Sequence, residues 1–234
     1  MIKILAFFAS AMLFAAGAEA APKAKARAKP EPARAVATAR IEAPILPTME
    51  GQRVAEWIAA SNDNHALPYA VLDKKAATLI LYSAKGKPLY QVPVLIGIAA
   101  GDDATPGVGS KNLSQIGPAE KTTPAGRFLA KFGYAAGHQR VLWVDYTNSV
   151  AIHTIPPDSP KKEQRRERML SAKGDDNRIT FGCINVPRVF YGKSLRPLFQ
   201  KKGGYVYVLP DTRPLEEVFP RLRVHTLAAR AAPL

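Results

Sequence analysis

Cys183 is the single cysteine among 234 residues, and it lies in the stretch Asn177-Arg178-Ile179-Thr180-Phe181-Gly182-Cys183-Ile184-Asn185-Val186. A lone thiol forms no internal disulfide, and in an oxidising compartment it is a liability unless the chain uses it. Gly182 sets no side chain in the way of an approaching carbonyl, and backbone N–H groups beside it are suited to holding a developing oxyanion. These features make Cys183 a candidate nucleophile for acyl transfer. The competing reading is a small buried hydrophobe, and the segment alone leaves both open. A thiol nucleophile also needs a base that takes its proton and lowers its effective pKa. Of the four histidines, His153 ends the alternating run Val150-Ala151-Ile152, so a fixed strand directs its side chain. His65 and His225 lie at the margins, and His138 lies in a loop that nothing selects. One cysteine excludes a clustered Cys/His zinc site, and neither a metal nor a cofactor is expected.

The elements that must position these groups change period along the chain. Val54, Trp57 and Ile58 recur at i, i+3 and i+4, which predicts a helix over residues 50–61 stopped by Asn62-Asp63-Asn64. Short strands are expected at 69–73, 77–82 and 89–96, with turns at Lys74-Lys75 and around Gly86. Residues 97–123, rich in Gly, Ser, Asp and Pro, suit a long surface loop. Strands follow at 127–134, 140–146 and 150–153. Next comes a charged insertion, 156–177, with helical composition over 161–172. A loose helical pattern over 187–200 and a last strand at 205–209 complete the set, and the tail from Asp211 reads as a peripheral helix with a frayed end.

The two ends differ from this middle. Residues 1–20 read as a secretory signal: Lys3, an apolar run from Ile4 to Ala16, and the small-x-small site Ala18-Glu19-Ala20. That run is too short for a comfortable membrane span, and no later stretch reaches the required length. Residues 21–47 form a Pro/Ala-rich linker in which Lys23, Lys25, Arg27, Lys29, Arg34 and Arg40 outnumber Glu31 and Glu42. The net charge of +14 attracts polyanions, so the linker is a candidate contact for an anionic envelope surface, although the same charge also serves solubility. Nucleic acid is not an expected partner, because the basic stretch has no interleaved aromatics and no nucleic-acid module follows it.

In their order, Val71-Leu72-Asp73 to Leu79, Val94-Leu95-Ile96-Gly97, Thr123-Pro124-Ala125-Gly126-Arg127-Phe128, Ala151-Ile152-His153 and Thr180-Phe181-Gly182-Cys183-Ile184-Asn185 resemble the L,D-transpeptidase (YkuD-type) catalytic domain. The resemblance spans residues 69–210, after a helical extension at 48–68 and before a tail at 211–234. It implies a mainly β fold, a sandwich of mixed sheets with a packed helix. It also implies an exported enzyme, in the periplasm or cell wall, that attacks peptidoglycan stem peptides. Cys183 would form a thioester with release of D-alanine, and an amine on a neighbouring stem would then take the acyl group. His153 would be the base, held by the Thr154 carbonyl, with Gly182 and Cys183 N–H groups as oxyanion donors. Arg178, Asn185, Thr180 and Phe181 would face substrate, with Asn185 alternatively fixing the loop.

Three features depart from the family pattern. Phe181 replaces the usual histidine before Gly-Cys, Thr154 replaces the usual glycine after the histidine, and the connection from His153 to Thr180 is longer. The charges of that connection (Lys161, Lys162, Arg165, Arg166 and Arg168 against Glu163 and Glu167) suit either a lid or a decorative surface helix. Two rival functions remain beside crosslinking: an L,D-carboxypeptidase, and a wall-binding module that has lost the chemistry.

Overall fold

The computed structural model describes residues 45–224. The expected leader, most of the basic linker and the terminus from His225 onward lie outside the described residues. Ten strands and five α-helices occur among them. Helix α1 (Met49–Ser61) begins where the Thr48 hydroxyl accepts the Gly51 N–H at 3.1 Å and ends at Asn62, in the left-handed region at φ 53°.

The strands β1 (Tyr69–Asp73), β2 (Thr78–Tyr82), β3 (Pro88–Pro93), β5 (Gly126–Tyr134), β6 (Arg140–Asp145), β7 (Val150–Thr154), β9 (Ile184–Val186) and β10 (Gly204–Val208) form one mixed sheet. Its order is β3-β2-β1-β10-β5-β6-β7-β9. Two neighbour pairs are parallel, β1 with β10 and β7 with β9; the others are antiparallel. A two-stranded parallel ladder joins β4 (Ile96–Gly97) to β8 (Arg178–Thr180). The mainly β expectation is met, with the sheet continuous and nearly closed into a barrel.

Alternation along the strands divides the apolar residues between two faces. Ala70, Leu72, Leu79, Leu81, Val206 and Val208 join Leu142, Ile152 and Ile184 in the inner core. Tyr69, Val71, Ile80, Tyr82, Tyr205 and Tyr207 face outward and are covered by Val54, Trp57 and Ile58 of α1. Trp57 meets Tyr207 edge-on at 6.1 Å between ring centroids. Truncating a buried aromatic of this kind costs about 3–5 kcal/mol. The segment after Asp211 is not peripheral: Leu215 of α5 (Leu215–Val218), Phe219 and Leu222 are buried in the same cluster, because Trp57 and Tyr207 leave an apolar surface that α1 alone does not cover.

Two further elements bear on the site. The insertion contains a 3₁₀ turn (Lys161–Glu163) and the short helix α2 (Arg165–Met169), less helix than its composition suggested. It is tied down by buried Met169 and by the Asn177 side-chain amide, which donates to Val94 O at 2.8 Å. After β9 the chain stays helical from α3 (Arg188–Phe190) through a π-helical turn (Tyr191–Leu195) into α4 (Arg196–Phe199). No helix among the described residues is long and apolar enough to cross a membrane.

Candidate active site

The pairing of β7 with β9 brings the two candidate motifs together. In register, Ile152 lies beside Ile184, His153 beside Asn185 and Thr154 beside Val186. Cys183 immediately precedes β9, in the tight turn that leaves β8. The candidate base therefore stands on β7 and the candidate nucleophile in the turn that enters the adjacent strand β9, an arrangement more fixed than two long loops would give.

Main-chain geometry sets the histidine tautomer. His153 Nδ1 lies 2.8 Å from Thr154 O, and a carbonyl only accepts, so Nδ1 carries the proton and Nε2 is left as an acceptor. The Asn185 side-chain nitrogen faces Nε2 at 3.5 Å, while Asn185 Oδ1 accepts from an Arg165 guanidinium nitrogen at 3.1 Å. A guanidinium only donates, so Arg165 fixes which way the Asn185 amide points. Burial holds the His153 pKa below its ordinary value; the bond to Thr154 opposes this, and the Arg165 charge adds to it.

The thiol is also neutral at rest. Cys183 Sγ is partly exposed and donates to Ser149 O at 3.5 Å. Burial pushes its pKa up, and a main-chain hydrogen bond from Ala151 offsets this in part. The expectation that His153 lowers the thiol pKa is not met in this state, because desolvation penalises both charges of a thiolate–imidazolium pair.

The turn carrying Cys183 is braced from beneath. Thr180 Oγ1 donates to Cys183 O at 2.5 Å and accepts the Gly182 N–H at 3.2 Å. Gly182 sits at φ 122°, and a Cβ there would meet Thr122 O at 2.7 Å. Thr123 Oγ1 donates to Gly182 O at 2.8 Å and accepts the Gly97 N–H at 2.9 Å. A Cβ on Gly97 would lie 2.2 Å from Lys121 O. Residues 121–123 are thus clamped between two glycines that admit no side chain.

Below the clamp lies Lys74, 1% exposed. Its Nζ donates to Gly101 O at 2.5 Å, Thr123 O at 3.0 Å and Asp102 Oδ1 at 3.1 Å, and it pairs with Asp211 at 3.2 Å. Burial alone would raise the Asp102 pKa. Hydrogen bonds from the Thr212 hydroxyl and from the Arg213, Asp211 and Thr212 N–H groups outweigh it and hold the carboxyl well below the usual carboxylate range.

Several residues expected to face substrate already have partners within the fold. Arg178 is committed to Asp211 at 2.7 Å, so its charge is already neutralised. Thr180 is buried, with donor and acceptor both used inside the turn. Asn185, 0% exposed, bridges His153 and Arg165 through its side-chain amide. The Gly182 N–H is occupied by Thr180 and is not free for an oxyanion. Phe181 is exposed, with Lys121 Nζ 3.8 Å from its ring centroid. His65 and His138 are exposed and apart from these contacts.

The sequence reading missed Arg165, Lys74 and Thr123 as parts of the site. Arg165 appeared as one charge among many in the insertion, and no local pattern marks the one that turns inward. Lys74-Lys75 reads as a solvated turn, and only long-range pairing reveals the buried member. Thr123 carried a signal, since it heads Thr-Pro-Ala-Gly just before β5.

No family model matches the chain, and no curated protein does. Among solved structures, the helical cell shape determining protein Pgp2 from Campylobacter jejuni is similar at 15% identity, over 70% of this chain and 57% of that one, with a TM-score of 0.42. An L,D-transpeptidase from Xylanimonas cellulosilytica is similar at 14% identity over 61% and 60%, with a TM-score of 0.36. The catalytic domain of the E. faecium L,D-transpeptidase is similar at 20% identity over 60% and 95%, with a TM-score of 0.35. The chain spans somewhat over half the length of the Pgp2 structure, and at these values the likeness concerns the course of the backbone alone.

Proposed function

We propose that the chain is a cysteine acyltransferase of L,D-transpeptidase type, acting on peptidoglycan stem peptides in the periplasm or cell wall. The observation that carries the reading is the His153 tautomer: Thr154 O holds the Nδ1 proton, so Nε2 is the basic nitrogen on the strand beside the Cys183 turn. As substrate enters, the thiol leaves Ser149 O, Nε2 takes its proton, and Sγ attacks the stem-peptide carbonyl. The Cys183 N–H is the oxyanion donor we assign in this step, since that of Gly182 is engaged. The tetrahedral adduct collapses to a thioester as the imidazolium returns the proton to the departing D-alanine amine. An amine of a second stem then attacks, gives a proton to Nε2, and the released thiolate recovers it.

For the peptide carboxylates we assign the cleft that begins at Ile155, directly after β7. It encloses about 490 Å³ and is lined by Lys161, Arg165 and Arg166, with Glu167. Arg165 is itself paired with Glu163 at 2.6 Å, so Lys161 and Arg166 are the cations of the insertion that we assign to the role Arg178 does not fill. Water in place of the second amine gives the carboxypeptidase.

The test is intact-mass analysis of the mature chain with a carbapenem, together with muropeptide analysis. A single acyl adduct and altered muropeptides are expected, both absent in Cys183→Ala. In His153→Ala acylation should slow by about 10²–10⁴. No adduct and unchanged muropeptides, with binding to sacculi retained, would overturn the enzyme reading in favour of a binding module.

A further inference from the structure

A second cleft lies at the opposite end of β7, and we infer that it is a subsite for a neutral saccharide, the glycan to which the stem peptide is attached. Its lining includes Ser110, Tyr134, Trp143, Tyr146, Thr147 and Ser149, around about 430 Å³. That is within the range of small-molecule sites. Ser149 joins the cleft to the thiol, because the carbonyl that accepts from Cys183 Sγ is its own.

The chemistry of the lining selects the ligand class. The chain carries a net charge of +14, yet no charged residue lines this cleft, in contrast to the cationic cleft after Ile155. A carboxylate-bearing peptide finds no partner there. The walls instead pair flat aromatic faces with hydroxyls and main-chain groups. A pyranose ring is complementary to such walls, with an apolar C–H face to lie on an aromatic ring and hydroxyls around its rim to hydrogen-bond. Wall sugars become uncharged once the lactyl carboxyl is amide-linked to the stem peptide.

The aromatic platform is built in, not incidental. Trp143 and Tyr146 meet edge to face at 5.1 Å and 75°. On the neighbouring strand Gly133 makes room for the indole: a Cβ there would lie 2.8 Å from Trp143 Cδ1. A glycine inside a strand weakens it, and one explanation is close approach of another group, here the Trp143 ring. Tyr134 and Tyr146 remain 70% and 76% exposed, so most of each ring is open to a ligand. The floor is closed by Gly109, which packs so tightly on the β6–β7 turn that a Cβ would meet Thr147 O at 2.1 Å.

This inference rests on the acyltransfer reading for its geometry, but its test separates the two. Chitotetraose is titrated into the Cys183→Ala full chain while tryptophan fluorescence is followed. Trp57 is buried, so the response reports Trp143. A saturable change is expected, weakened about tenfold or more by Tyr146→Ala or Gly133→Ala. With active chain, the ratio of kcat/KM for disaccharide-linked over free tetrapeptide should fall about tenfold in Tyr146→Ala. No saturable binding, or binding indifferent to both variants, overturns the saccharide site even if turnover is normal. Equal losses on both substrates overturn it too, assigning the cleft to peptide. Binding through Tyr146 in a chain that turns over neither substrate would instead sustain the site and remove the acyltransfer reading.

Discussion

Lys74→Met is the sharpest test of how the site is held. The methionine keeps the aliphatic volume and removes one buried charge with three hydrogen bonds and two ion pairs. Two carboxylates are affected unequally. Asp102 keeps four donors, from Asp211, Thr212 twice and Arg213, and Asp211 keeps Arg178 and the Gly101 N–H. Neither is left bare, but the Gly101 and Thr123 carbonyls lose their lysine donor, at about 1–3 kcal/mol for each that is left unsatisfied. Breaking a buried pair costs about 3–5 kcal/mol, and that range fits this partial compensation. At about 2–4 °C per kcal/mol for a chain of this size, Tm should fall by about 6–20 °C. Thermal unfolding by circular dichroism measures it, and carbapenem acylation at a temperature where the variant is folded should also slow, because Thr123 links Lys74 to Gly182. A Tm within about 2 °C of the parent would refute the assignment of Lys74 as the support of the cysteine turn.

Three other outcomes follow from the same contacts. Removing the Arg165 charge, as in Arg165→Met, should raise the His153 pKa, so the acid limb of the kcat/KM profile moves to higher pH; a profile that does not move would exclude Arg165 as an influence on the base. Gly182→Ala forces a Cβ against Thr122 O at a φ of 122°, and should cost about 1–3 kcal/mol in chemical unfolding with loss of acylation. Asp102, with its pKa depressed in the folded state, contributes stability that is present above its unfolded pKa and is lost as pH falls through the folded value. Asp102→Asn should therefore flatten the decline in urea stability on acidification below the ordinary carboxylate range.

How far the chain could be read in advance depended on the range of the interactions involved. Helix α1 was legible because Val54, Trp57 and Ile58 repeat on one face and Asn62 ends it. Strands β1, β2 and β10 were legible from dense β-branched and aromatic runs. The three-residue strands β8 and β9, which flank Cys183, were not: their strand character comes from pairing with β4 and β7, not from local preference. The same distinction runs through the site. Cys183 and His153 were singled out by residue type and strand position, whereas the contact of His153 with the Thr154 carbonyl was expected only from the family resemblance. Arg178, Thr180 and Asn185 sit beside the cysteine and looked like substrate contacts, but partners distant in sequence, Asp211 and Arg165 among them, already occupy two of the three.

On the acyl-transfer proposal, the neutral resting state of the thiol and imidazole has a consequence for reactivity. Oxidation and alkylation act on the thiolate, so a cysteine whose pKa burial has raised reacts more slowly with both kinds of reagent. The same burial keeps His153 unprotonated, and therefore able to receive a proton, down to lower pH than an exposed histidine would allow. An ion pair formed beforehand would sacrifice the first property, and an exposed imidazole the second. In the proposed reaction activation then comes from the substrate: a carbonyl placed over Cys183 supplies the acceptor for the electrons of sulfur while Nε2 takes the proton, so charge appears only as the Cys183 N–H receives it. Asn185 is poised for this exchange, because its contact to Nε2 is at the outer limit of a hydrogen bond and costs little to release, whereas its bond to Arg165 keeps the amide in place. Selective reaction with an acyl donor, alongside slow reaction with small alkylating agents at neutral pH, is the behaviour this arrangement requires; fast alkylation of Cys183 by iodoacetamide would contradict it.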